Sequence, residues 1–161
     1  KIADLAGSGS TSQGVVRVCV STKRLCNQLR VSLENFSKSH IDVKVKQNNK
    51  SWHFTGFYGK PRLENRHHSC RFLRTLFAVT HRAWICMGDF NETMYVEEHF
   101  SVHEQPAWQM QAFRDVVDAC SFQDVGWRGV PFTWDNKQQG NSNVKARLDR
   151  ALANNAFLHL F

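Results

Sequence analysis

Asp89 and Asn91, one residue apart, follow the apolar run Trp84-Ile85-Cys86-Met87 and a glycine, Gly88. Four successive apolar residues read as a short buried strand, and Gly88 lets the backbone turn sharply just before a carboxylate and a carboxamide. Both polar residues then sit at a strand's end. An extended backbone points them to the same side, so a base and a hydrogen-bond donor converge on one small target, which suits phosphate chemistry. The competing reading is an Asp-x-Asn turn whose side chains satisfy their own backbone.

Other polar residues stand at comparable places. Trp52-His53-Phe54-Thr55-Gly56-Phe57-Tyr58 is strand-like and ends at a tyrosine followed by Gly59, so Tyr58 can donate its hydroxyl to a phosphate oxygen or remain an interface aromatic with its hydroxyl in water. Asp149 lies among Arg147, Leu148 and Arg150, which reads by itself as a surface ion pair of little energetic worth. His99 and His103 are four apart, with Glu97, Glu98 and Glu104 beside them. On a helix they would share a face as zinc ligands do, but the order departs from the metalloprotease pattern and the segment lacks helical periodicity, so it reads as a solvated loop. His67-His68 read as basic-surface residues on a helix.

The elements that must position these residues alternate along the chain. The first fourteen residues, rich in Gly and Ser, read as a flexible segment, and residues 15–161 as one partial domain. Strand-like stretches follow at Val15–Val20, Leu29–Phe36, His40–Lys46 and Trp52–Tyr58. Ile41, Val43 and Val45 alternate with Asp42, Lys44 and Lys46, predicting one buried face and one wet, basic face. Gln47-Asn48-Asn49-Lys50 predicts a hairpin turn into the next strand, hence an antiparallel sheet. The spacing of Phe72, Leu73, Leu76 and Phe77 predicts a helix over 64–81, with Arg66, Arg71 and Arg74 off its apolar stripe. Pro106 and the spacing of Met110, Phe113, Val117 and Cys120 predict a second helix over 106–120. A strand at Phe132–Trp134 and a segment at 144–152 complete the chain.

With 161 residues and 42% hydrophobic content, the chain is sized for one globular domain rather than a disordered tail. It carries no apolar run long enough for a membrane span or a signal-peptide core, so a soluble, intracellular protein is expected. Its five cysteines include no closely spaced pair of the zinc type, and reduced structural thiols are expected. The net charge of +7 is divided unevenly: residues 1–75 hold 14 Lys or Arg against 4 Asp or Glu, and residues 76–161 hold 7 against 10. One half can hold a polyanion while carboxylates work in the other, as a metal-dependent nuclease requires.

In order, Phe54-Thr55-Gly56-Phe57-Tyr58-Gly59, Gly88-Asp89-Phe90-Asn91-Glu92, Met110-Gln111-Ala112-Phe113-Arg114, Phe132-Thr133-Trp134-Asp135-Asn136 and Arg147-Leu148-Asp149-Arg150-Ala151-Leu152 resemble the endonuclease/exonuclease/phosphatase, or DNase I-like, superfamily. More narrowly, the chain from about His40 onward is similar to the apurinic-type endonuclease domain of plant non-LTR retroelements. The resemblance implies a four-layer α/β sandwich of two stacked mixed sheets flanked by helices, here incomplete, and Mg²⁺-dependent hydrolysis of a DNA phosphodiester. It implies that Asp89 activates the attacking water, that Asn91 orients Asp89 and the scissile phosphate, that Tyr58 binds phosphate, and that Asp149 orients a catalytic histidine. It further implies DNA as partner, a reverse transcriptase in the parent protein and a nuclear location.

The family's metal-binding Glu and its downstream Ser-Asp-His segment have no match. Glu34 is the nearest acid and its place relative to Ile41-Asp42-Val43 is wrong. A piece truncated at both ends, inactive or weak, is therefore expected, with a non-catalytic nucleic-acid-binding remnant or a phosphatase of the same fold as alternatives.

Overall fold

Leu29–Phe36 (β1), His40–Gln47 (β2) and Lys50–Tyr58 (β3) form an antiparallel meander in the computed structural model, which describes residues 29–80, 82–103 and 105–161. The predicted stretch Val15–Val20 and the N-terminal fourteen residues lie outside the described residues. Between β2 and β3 the turn is as predicted: Gln47 faces Lys50 across a two-residue loop, and Asn48 takes the positive φ of 53° that such a loop demands.

After a 3-10 turn at Leu63–Asn65, helix α1 (Arg66–Val79) carries the chain back so that Trp84–Asp89 (β4) runs parallel to β3. A two-residue strand, His99–Phe100 (β5), precedes helix α2 (Ala107–Ala119), for which Pro106 is the N-cap residue. Then come Phe122–Asp124 (β6), Trp134–Asp135 (β7), Lys145–Ala146 (β8), Asp149–Asn154 (β9) and the short helix α3 (Asn155–Leu158). The strands make a six-stranded mixed sheet, ordered β1-β2-β3-β4-β9-β6, and a three-stranded antiparallel sheet, ordered β5-β8-β7. The expected single segment over 144–152 is thus two strands in different sheets, joined only by Arg147 and Leu148.

The core lies where α1 and α2 cover one face of the larger sheet. Leu73 from α1, Phe113 from α2, and Trp84, Phe90 and Leu152 from or next to the strands are wholly buried there. The predicted stripes hold: Leu73 and Leu76 are buried with Phe72 and Phe77 packed against them, and Met110, Phe113, Val117 and Cys120 are buried. Each helix hides its apolar side because burial, not propensity, stabilises a helix of this length in water.

The alternation expected on β2 holds only at its end, where Val45 is buried and Lys46 exposed. Asp42 is buried and Lys44 half-buried, whereas Ile41 and Val43 are only half-buried. Asp42 tolerates burial because the Thr55 hydroxyl donates to it at 2.9 Å and His53 Nδ1 stands 3.6 Å from its other oxygen; Trp84 Nε1 in turn donates to Thr55 at 2.8 Å. A buried carboxylate with partners is affordable where an isolated one is not. Cys86 and Cys120 are buried free thiols, Cys70 is a half-buried one, and no helix among the described residues is long and apolar enough to cross a membrane.

Candidate active site

Parallel strands bring their C-terminal ends to the same edge, and β3 and β4 end level, Tyr58 opposite Asp89. Strand β9 runs the other way and begins at that edge, Asp149 opposite Asp89. Tyr58, Asp89 and Asp149, far apart in sequence, therefore form one row across three adjacent strands. Residues of a row share a face of the sheet. It is the face away from Trp84 and Cys86, whose places in β4 alternate with that of Asp89.

Backbone contacts fix the row. Gly59 N–H donates to the Asp89 carbonyl at 2.7 Å, and Phe90 N–H donates to the Leu148 carbonyl at 2.9 Å. At Gly59 a Cβ would collide with the Phe90 carbonyl oxygen, so the close passage of the two chains requires glycine. Gly88 does not turn the chain as expected. It lies inside β4, at φ +146°, and leaves room for the Phe57 carbonyl oxygen that a Cβ would strike.

The Asp-x-Asn turn prevails over the extended reading of this pair. Asn91 has φ +56°, its backbone N–H donates to Asp89 Oδ1 at 2.8 Å, and its carboxamide donates to the Gly59 carbonyl at 2.9 Å. Asn91 thus orients Asp89 through its backbone, while its buried side chain ties the β4 end to the β3 end.

Burial pushes the Asp89 carboxyl up from 3.8 to about 6; the Asn91 N–H works against that rise, the Asp149 charge adds to it, and Arg66 holds it down. Tyr58 is partly exposed, and among the described residues its hydroxyl has no hydrogen-bond partner. Asp149 is exposed and, contrary to the ion-pair reading, has no ion pair among the described residues. Its flanking arginines turn inward instead. Arg147 reaches Glu98 and Asp124, each at 2.8 Å, and Arg150 reaches the same two carboxylates at 2.8 and 3.1 Å. Trp127 covers Arg147, 4.2 Å from guanidinium to ring centre. Burial alone would raise the pKa of Glu98 and Asp124, but hydrogen bonds from Arg150 to Glu98 and from Arg147 to Asp124 bring both below the ordinary carboxylate range.

Three supporting groups went unread in the sequence. Thr133 accepts the N–H groups of Leu148 and Asp149, both at 3.0 Å, and so sets the start of β9. Its place inside the matched Phe-Thr-Trp motif was the available signal. Glu92 is buried, accepting from Gln109 at 2.9 Å and Arg66 at 3.3 Å. The four-residue ion network had none, because its partners lie 23 to 52 residues apart.

Of the other candidates, His99 is half-buried in β5 and His103 exposed, so the pair shares no helix. Its neighbour Glu98 belongs to the buried network and not to a solvated loop. His67 and His68 are exposed on α1 as expected, their rings 3.9 Å apart. Glu34 is exposed at the bulge of edge strand β1, three strands from Asp89. No group of three or more His, Cys, Asp or Glu able to hold a metal ion occurs among the described residues.

The mixed sheet backed by two helices has counterparts of known structure. No protein-family model and no curated protein sequence matches the chain. Among solved structures, the endonuclease domain of TRAS1, a telomere-specific non-LTR retrotransposon, superposes with a TM-score of 0.62 at 16% identity, over 82% of this chain and 58% of that one. A β-hairpin deletion mutant of β toxin from Staphylococcus aureus gives 0.53 at 16% identity, over 73% and 44%. A second β toxin structure gives 0.51 at 14% identity, over 73% and 43%. The fold is DNase I-like. The chain spans little more than half the length of the TRAS1 domain it matches.

Proposed function

We propose that the Tyr58–Asp89–Asp149 row is the hydrolytic centre of a DNA-nicking endonuclease of the retroelement type. The observation that carries this reading is Asp89 itself: a carboxylate at a shared strand end, aligned by the Asn91 N–H and raised to about 6, within the range of a general base near neutrality. In this reading Asp89 takes the proton of the attacking water. Tyr58 donates its free hydroxyl to a phosphate oxygen as charge develops on it, and the fixed Gly59–Asn91 and Phe90–Leu148 contacts keep the row from shifting.

The donor set suits Mg²⁺. Asp149, an exposed carboxylate opposite Asp89 across β4 and β9, is the oxygen donor that would take the ion. Mg²⁺ commonly binds through one or two carboxylates together with water and substrate phosphate, which leaves Asp89 as the base. When bound, the ion supplies Lewis-acid polarisation of a phosphoryl oxygen. The resemblance gives Asp149 a second role, the orientation of a catalytic histidine, which the same exposed carboxylate leaves open.

A second reading, a nucleic-acid-binding module without chemistry, is favoured by the basic first half of the chain, in which residues 1–75 hold 14 Lys or Arg against 4 Asp or Glu. The deciding experiment is nicking of supercoiled plasmid with Mg²⁺ and with chelator, beside Asp89→Ala. Weak Mg²⁺-dependent nicking that the variant lacks is the expected result. Binding of plasmid by the folded protein with no nicking under any divalent cation would leave only the second reading. A retroelement setting would place a reverse transcriptase in the same parent protein, using the nick in nuclear DNA as its primer.

A further inference from the structure

A cavity of about 740 Å³ opens between α1 and α2, lined only by described residues. One wall is a stripe of α1 carrying Arg66, Cys70, Arg71 and Arg74; the other is a stripe of α2 carrying Trp108, Gln109, Ala112 and Asp115. At its floor Glu92 is occupied by Arg66 and Gln109, and at its rim Asp115 accepts the Gln111 amide. Arg71 and Arg74, by contrast, have no ion pair or side-chain hydrogen bond among the described residues. The charge of Arg74 lowers the pKa of the Cys70 thiol, against the larger effect of burial, so its guanidinium lies near the cavity wall. Trp108 leaves 67% of its surface exposed and has no ring partner among the described residues.

Two unpaired guanidinium groups and a bare indole lining one groove form a combination with a specific chemical match. Residues three apart on a helix stand about 5–6 Å apart at Cβ, so Arg71 and Arg74 can meet successive phosphates of one strand. An indole face left open accepts a base, whose stacking does not depend on sequence. The base must be unpaired, because a duplex, about 20 Å across, cannot enter a gap between two helices packed on one sheet. An acidic peptide offers the charge but nothing flat for Trp108.

We infer that the α1–α2 groove is a second nucleic-acid site, which holds a short single strand with its phosphates on Arg71 and Arg74 and an unpaired base on Trp108. The inference rests on the reading that this chain acts on nucleic acid, and it places the strand on the helical face, opposite to that of the Asp89 row. Arg66 links the two places, since it lines the groove and its charge is felt at Asp89.

The test is binding of a fluorescein-labelled hexathymidylate to the full chain, read by anisotropy in chelator so that cleavage plays no part. Trp108→Ala is expected to weaken binding about tenfold and Trp108→Phe to restore it, because stacking needs an aromatic face and not indole in particular. The double variant Arg71→Ala/Arg74→Ala is expected to weaken binding and to lower the salt slope by about 1.4. Hexathymidylate affinity unchanged in both Trp108→Ala and the double arginine variant overturns the inference. Plasmid nicking by those same variants separates the two readings: nicking with variant-insensitive hexathymidylate binding removes the groove alone, and variant-sensitive binding without nicking removes the nuclease alone.

Discussion

Asp89 combines two properties that pull against each other. Its carboxyl is raised from 3.8 to about 6, so the folded protein holds a proton more tightly than the unfolded chain does. The sign follows: the contribution of Asp89 to stability is full below about pH 4 and is lost as pH rises through about 6. Ionised Asp89, the form a base requires, is the destabilised form. Asp89→Asn, with no charge to bury, is expected to abolish nicking while raising stability by about 2 kcal/mol at pH 7, with no gain at pH 3.5. Urea unfolding at the two pH values checks the stability, and a wild-type nicking rate that climbs through about pH 6 to a plateau checks the base. A variant less stable than wild type at pH 7 would mean that the carboxylate is held by favourable contacts rather than by burial.

At the scale of elements, the ends of β3 and β4 are held together by backbone more than by side chains. Gly59 is the point where this matters most, since a Cβ there meets the carbonyl of Phe90 and neither strand is free to give. Gly59→Ala is expected to cost more than about 3 kcal/mol and to remove nicking with it, as read by denaturant unfolding and plasmid assay. The helices, the hairpin and the strand under Trp84 were legible because each is a local pattern: a 3.6-residue stripe, a two-residue turn, an apolar run. The polarity of β2 was not, since Asp42 reads as solvent-facing until Thr55 and His53, thirteen and eleven residues on, are placed beside it. The break at Arg147-Leu148 was equally hidden. Nothing in five residues of sequence distinguishes one strand from two that part into separate sheets. The four candidate residues could be named by type and motif, but the alignment of Tyr58, Asp89 and Asp149 in one row depends on register, which a single sequence does not carry.

Over the whole molecule, the Arg147–Arg150–Glu98–Asp124 network joins the two sheets to the segment before β5. It is nearly dry, with both arginine side chains at most 4% exposed. Removing one member leaves buried charge without its partner, so Arg150→Ala is expected to destabilise by about 3–5 kcal/mol at neutral pH. Glu98 and Asp124 are held below their ordinary range, so their contribution is present above about pH 4 and lost as they take up protons in acid. The gap between wild type and Arg150→Ala should therefore narrow below about pH 4. A gap that stays constant from pH 7 to pH 3 would show that Arg150 acts through packing on Phe113 instead.

The position of β9 has a consequence for how the molecule is made. It is the last of the described strands in the chain, yet it sits between β4 and β6 in the sheet, and it brings Asp149 to the row. As the polypeptide leaves the ribosome, β4 has a bare edge until the residues around 150 have emerged, and β6 has nothing to pair with. Such an edge recruits other strands. The Tyr58–Asp89–Asp149 row cannot assemble until β9 has emerged: a stop between β4 and Asp149 leaves an open sheet edge prone to aggregate and no complete row.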